Sequence, residues 1–192
     1  EPSEWRHLLA IFSCTNVTIR NLSLNGSGGD GIYIGSNNPS QPYCKDLLID
    51  NVECSDNNRQ GISVISAENL MIRNSRLLNT SGAAPMAGID FEPNAKPAGQ
   101  RLVNCVMENC LVEGNAGNGI EFFTVYLNHS NPPLSITVRN CRIIGNKRSG
   151  TMITTTYPRK WDGKEPAARG FIKFEDCLFS NNAITGWMLQ DN

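Results

Sequence analysis

The chain has 192 residues, with 17 basic against 18 acidic side chains and a formal net charge of −1. That length points to one domain. Balanced charge supplies no field to gather a polyanion, which argues against nucleic acid as a partner. No apolar run approaches the ~20 residues of a membrane span.

In chain order, Leu8-Leu9-Ala10-Ile11-Phe12 reads as a strand already under way. The segment Val17-Thr18-Ile19-Arg20-Asn21-Leu22 follows, and its pattern then returns as Leu47-Leu48-Ile49-Asp50-Asn51-Val52 and Leu70-Met71-Ile72-Arg73-Asn74-Ser75. It returns again around Asn109, Asn140 and Asp176, so one column reads Asn21, Asn51, Asn74, Asn109, Asn140, Asp176. Stacked amides satisfy one another and the tight turn that holds them. The spacings are 30, 23, 35, 31 and 36 residues. A second marker recurs between these: a glycine opens another short strand at Gly31, Gly61, Gly88, Gly119, Gly150 and Gly186. Repeats of this length with period-2 strands and Gly/Asn turns indicate a solenoid of coiled strands, all-β, with about six rungs.

The shortest spacing, 23, is near the minimum for a three-strand coil, so the longer ones carry insertions. These fall near 36–43, 79–87, 93–101, 124–134 and 155–169, within a single domain over 1–192. All but 79–87 follow the glycine-led strand, so they emerge at one edge of the same face. Long loops on one side of a solenoid form a binding wall. The first and last strands lack caps, which a solenoid needs. The chain is therefore expected to be a segment of a longer solenoid or to be capped by a partner.

Seven cysteines are present without a CxxC spacing. Cys110, Cys141 and Cys177 each follow the ladder residue, in the column of Leu22, Val52 and Ser75. A buried stack of small apolar side chains is the expected reading, and a zinc site is not. Cys14, Cys44, Cys54 and Cys105 are placed at turns or strand ends.

In the glycine-led strand the first and third residues after glycine are apolar in nearly every rung, as in Ile62/Val64 and Ile120/Phe122, so they point inward. The second and fourth then point outward. The outer columns run Ala10, Tyr33, Ser63, Asp90, Glu121, Met152, Met188 and Phe12, Gly35, Ile65, Glu92, Phe123, Thr154, Gln190. Rungs lie ~4.8 Å apart, which makes Asp90 and Glu121 neighbours, with Glu92 beside them. His7 should neighbour Asp30, and Arg59 should lie between the rungs of Asp30 and Asp90. Like charges this close repel unless one takes a proton, a cation binds or an arginine intervenes.

Two close carboxylates can act as acid and base, or as acid and nucleophile, in glycoside hydrolysis. Asp90, Glu92, Glu121, Asp30 and His7 are therefore the candidate catalytic groups. Asp90, Glu92 and Glu121 can also hold Ca²⁺, an oxygen-ligated ion, and no other cofactor is called for. Arg59, Arg148, Tyr33, Phe123, Tyr157 and Trp161 are the candidate substrate-binding residues. Tyr157-Pro158-Arg159-Lys160-Trp161 adds two cations suited to an anionic glycan. The competing reading is a solvated groove whose carboxylates pair with Arg59, Arg148 or a lysine, with loop aromatics anchoring their own loops.

From about residue 4 to 190 the chain resembles the right-handed parallel β-helix proteins of the pectate-lyase-like group. Asn58-Arg59-Gln60-Gly61-Ile62-Ser63-Val64 and Ala87-Gly88-Ile89-Asp90-Phe91-Glu92-Pro93-Asn94 are similar to segments of carbohydrate-associated and tailspike-like members. The Asn-Thr-Asp, Gly-His-Gly and Arg-Ile-Lys stretches of pectin hydrolases are absent, and Glu92-Pro93-Asn94 is a loose echo of the Asp-Pro-His of alginate epimerases. No catalytic residue carries over. What the resemblance implies is a polysaccharide partner gripped in a groove of a secreted, periplasmic or surface-exposed protein. The expected activity is cleavage of an acidic glycan by lyase or hydrolase chemistry. The alternatives are a non-catalytic adhesion module or a structural segment. Side-by-side oligomers are compatible with the fold.

Overall fold

The computed structural model describes residue 3, residues 5–155 and residues 168–190. Tyr157 and Trp161, and most of the insertion at 155–169, lie outside them. Among the described residues there is no helix, and every strand pair is parallel. No helix there is long and apolar enough to cross a membrane.

The strands form two sheets. A 7-stranded sheet stacks the glycine-led strands in rung order: β1 (Leu9–Phe12), β3 (Ile32–Gly35), β5 (Ile62–Val64), β8 (Ile89–Phe91), β11 (Ile120–Phe123), β14 (Thr151–Thr154) and β17 (Trp187–Gln190). A 10-stranded sheet wraps the asparagine corner. In its first rungs the strand runs unbroken through the corner, as β2 (Thr15–Asn25) and β4 (Cys44–Ser55). Later rungs split there into β6 (Ala67–Arg73) and β7 (Arg76–Leu78), β9 (Leu102–Glu108) and β10 (Leu111–Glu113), β12 (Leu134–Arg139) and β13 (Arg142–Ile144), β15 (Gly170–Glu175) and β16 (Leu178–Ser180).

The corner has the expected backbone conformation, and two steps of its column carry the expected amide–amide bond. Asn21, Asn51, Asn74, Asn109, Asn140 and Asp176 all have φ between 51° and 56°. Asparagine tolerates that left-handed conformation better than other residues with a side chain. The Asn51 amide donates to Asn21 at 2.9 Å and the Asn109 amide to Asn74 at 2.7 Å. Asn74 departs from the ladder: it donates to Asp50 Oδ1 at 2.9 Å. A second, buried ladder was not read from the sequence. Asn115 donates to Asn146 Oδ1 and Asn146 to Asn182 Oδ1, each at 2.9 Å. Their amides also bond the carbonyls of Leu77 and Val112, which satisfies backbone inside the turn that leads to each glycine.

The glycine column serves close approach. A Cβ on Gly61 would lie 2.5 Å from the carbonyl oxygen of Gly88, and one on Gly119 would lie 2.5 Å from that of Gly150. Rung packs on rung too closely there for any side chain.

The core fills the space between sheets. Ile32, Ile62, Ile89 and Ile120 form one fully buried row, and Phe91 stacks on Phe122 with centroids 5.0 Å apart. All seven cysteines are free. Cys110 and Cys141 are buried in the expected stack, and the Cys110 N–H donates to Cys141 Sγ at 3.4 Å. Cys44 opens β4 and Cys54 stands one residue from its end, as expected of strand ends, whereas Cys105 lies within β9, which corrects its placement; all three are core residues. A thiol at a strand end is as buried as one at its centre when the next rung covers it.

Candidate functional site

The glycine-led sheet sets the register of the candidate residues. Ala10 pairs with Tyr33, Tyr33 with Ser63, Ser63 with Asp90, Asp90 with Glu121, and Glu121 with Met152. The predicted outer column is therefore real, and Asp90 and Glu121 are neighbours. It is not open to solvent, however. Tyr33, Ser63, Asp90 and Glu121 are 7, 1, 1 and 8 % exposed. Two residues that stand just before a glycine turn over the strand and close it: Gln60 donates to Asp90 Oδ2 at 2.9 Å, and Asn118 to Glu121 Oε2 at 3.0 Å.

At the Asp30 end the charges are compensated. Asp30, whose side chain is wholly buried, accepts from Ser63 Oγ at 2.8 Å and the Gln60 N–H at 3.2 Å. Arg59 Nη1 lies 3.4 Å from its Oδ2. His7 joins them as predicted. Its Nδ1 lies 3.2 Å from both the Asp30 N–H nitrogen and Oδ2. A neutral ring accepts from the amide, whereas a protonated ring donates to the carboxylate. Burial still raises the Asp30 pKa, against the lowering by Arg59, Ser63, His7 and Gln60. The His7 ring stacks on Tyr33 at 4.6 Å, and Trp5 stands edge-on to both.

Arg59 spans to the next rung, where its Nη2 lies 3.7 Å from Glu92 Oε2. It is not a free charge clamp, because Asp30 and Glu92 already share its cation. Burial pushes Asp90 well up from the usual carboxylate range, and the charges of Glu92 and Glu121 push it further. Its Oδ1 is buried with no hydrogen-bond donor to accept from. That suits a carboxyl whose charged form is disfavoured by burial and by its acidic neighbours. Burial also raises Glu121, with Asn118 and Arg148 opposing. Asp90, Glu92 and Glu121 do not converge as metal ligands: among the described residues no three His, Cys, Asp or Glu side chains come together so as to hold an ion.

The corner sheet provides an internal comparison. One of its outward columns reads Arg20, Asp50, Arg73, Glu108, Arg139, Glu175, in register from rung to rung. Opposite charges meet at every step, with Asp50 2.9 Å from Arg73 and Glu108 2.9 Å from Arg139. Here cross-strand pairing is satisfied by alternation. On the glycine-led face the same lattice stacks carboxyl on carboxyl.

Other aromatic residues lie apart. Phe123 packs edge-on against Tyr126 at 6.2 Å, on the loop that follows β11. Tyr43 lies under the Arg101 guanidinium at 3.9 Å and anchors its own loop. Trp5 and Asn94 were missed. With Tyr33, Arg59, Ile65 and Glu92 they line a cleft of about 60 Å³. Trp5 precedes the first repeat, so no periodicity could have placed it. A larger hollow of about 720 Å³ runs past His7 along the turns at Gly26–Gly28 and Asp56–Asn58, and holds none of the clustered carboxylates.

The sequence profile described as "right handed beta helix region" matches residues 3–188. The chain belongs to the right-handed β-helix family. No curated protein and no solved structure matches it. Membership accounts for the coil and its hand. It assigns no reaction, since this scaffold carries many.

Proposed function

We propose that this β-helix protein is carbohydrate-active and cleaves a polysaccharide lying across the glycine-led sheet, with Asp90 and Glu92 as its acid–base pair. The observation that carries this reading is the stacking of Asp90 on Glu121 on one face of a solenoid whose other face has a column that alternates charge from rung to rung. Burial and the charges of Glu92 and Glu121 raise the Asp90 pKa well above its ordinary value, which suits a proton donor. Glu92, with its side chain 32 % exposed, is the member that reaches the cleft. In glycoside hydrolysis the proton of the pair passes through Glu92 to the leaving glycosidic oxygen, and the attacking water returns one. Arg59 holds the Glu92 carboxylate in place. The expectation of an acidic glycan rests on Arg159 and Lys160, outside the described residues. Such activity fits a secreted or surface-exposed protein.

The burial of Asp90 and Glu121 favours a second reading, a glycan-binding module in which only Glu92, Arg59 and the aromatics meet ligand. A screen of neutral and acidic glycans, with and without Ca²⁺, separates the two. Reducing ends without unsaturated product, lost in Asp90→Asn and Glu92→Gln, identify a hydrolase. Unsaturated product identifies a lyase. Binding without turnover identifies the module.

A further inference from the structure

We infer that the cleft between Trp5 and Glu92 is a subsite for one uncharged sugar ring. This rests on the polysaccharide reading and adds to it the chemical class of the unit bound there. Trp5 is 69 % exposed, although its ring meets Tyr33 at 6.4 Å and His7 at 6.2 Å. A tryptophan held edge-on by two rings, with most of its surface left to solvent, is a platform for the C–H face of a pyranose. The interplanar angle of 62° between Trp5 and Tyr33 makes them wall and floor of one corner. Polar groups of both kinds converge there: Arg59 donates, Glu92 accepts, and Asn94 does either. That set matches sugar hydroxyls, each of which is donor and acceptor at once. The cleft is about 60 Å³, roughly the volume of two waters. The ring therefore lies across it and lowers one edge in, displacing water from those polar groups.

Charge decides the class. Arg59 is the cation lining this cleft, and it stands 3.4 Å from Asp30 and 3.7 Å from Glu92. A uronate carboxylate would have to replace Glu92 at the guanidinium and would leave two anions side by side. Hydroxyls can bridge Arg59 and Glu92 without breaking their contact. Other positions along the same glycan remain free to carry charge.

The test is calorimetric titration of the whole chain with cellohexaose, xylohexaose, mannohexaose and chitohexaose, against hexagalacturonate and hexamannuronate. Wild type, Trp5→Ala and Glu92→Gln are compared, with the glycan screen run alongside. At least one neutral hexamer is expected to bind, about tenfold more weakly to Trp5→Ala, the loss of one stacking contact. Uronates are expected to bind wild type at least about tenfold more weakly than that hexamer, and to gain about tenfold in Glu92→Gln as Arg59 is released. Tighter uronate binding to wild type overturns the uncharged class and leaves the polysaccharide reading standing. Glycan binding or cleavage indifferent to Trp5→Ala overturns the subsite alone. A folded chain that neither binds nor cleaves any glycan overturns both.

Discussion

Replacing Arg59 with alanine tests whether the Asp30–Arg59–Glu92 chain is what makes this face tolerable. Asp30 is fully buried and Arg59 has a side-chain exposure of 16 %. Removing one partner from a buried ion pair costs about 3–5 kcal/mol, because the other charge stays behind without compensation. The contacts here, 3.4 and 3.5 Å, are long for a charge-assisted bond, and Ser63, the Gln60 N–H and His7 remain. The loss should therefore sit at the low end, about 3 kcal/mol. Arg76→Ala is the control. Its pair with Glu53 is 3.2 Å long but exposed, so about 0–1 kcal/mol is expected. The sign of the pH dependence follows from Asp30. Its folded pKa is raised above 3.8 by burial, with Arg59 the largest opposing influence. Without Arg59 it rises further. The folded state then holds a proton that the unfolded chain has lost, so stability is highest below the unfolded pKa and falls as pH rises through the folded one. Urea unfolding at about pH 7.5 should show the full penalty, and at about pH 4 a much smaller one. Arg59→Ala/Asp30→Asn should recover most of it at neutral pH. A loss equal at both pH values, or a double variant no more stable than Arg59→Ala, would refute the argument.

Three further outcomes are expected. Asn115→Leu should cost about 2–4 kcal/mol in urea unfolding, since it orphans the buried Thr80 N–H and a bond to the Leu77 carbonyl; a loss under about 1 kcal/mol would show the inner ladder to be ornamental. Asp90→Asn should flatten the pH dependence of Tm: the wild-type carboxyl, raised above 3.8, makes stability fall as pH climbs above the ordinary carboxylate range, and an unchanged slope would count against the proton on Asp90. Native protein should react with a thiol reagent only at Cys14 and Cys177, the two half-buried thiols. Burial pushes Cys54 and Cys105 up to about 12, so rapid native labelling of either would contradict the core placement.

The coil was legible because its signals are local and repeated. An Asn or Asp at positive φ recurs in six rungs, and five of the six column glycines lie under a neighbouring glycine carbonyl, so each column is visible. Period-2 alternation within β8 and β11 then sufficed to set Asp90 beside Glu121, and the column that precedes each glycine-led strand set His7 near Asp30. Alternation states which way a side chain leaves the sheet, but not what lies above it. Gln60 and Asn118 close over the outer column by turning back from the residue before glycine. Asn118 follows a turn held by the buried ladder of Asn115 and Asn146, which was not read.

Arg59 illustrates the division at a single residue. Its place in the chain put it between two acidic rungs, and the sequence alone carried it that far. Which acids it would hold, and whether any charge would be left for a ligand, depended on distances of 3.4 and 3.7 Å to Asp30 and Glu92. Trp5 lies outside any repeat, so only packing on Tyr33 and His7 could bring it to the cleft. The sequence by itself determined the solenoid, its rungs and the inward and outward sets, because those follow from backbone sterics and periodicity. The tertiary structure decided burial and pairing, because those arise from side chains of different rungs meeting across space.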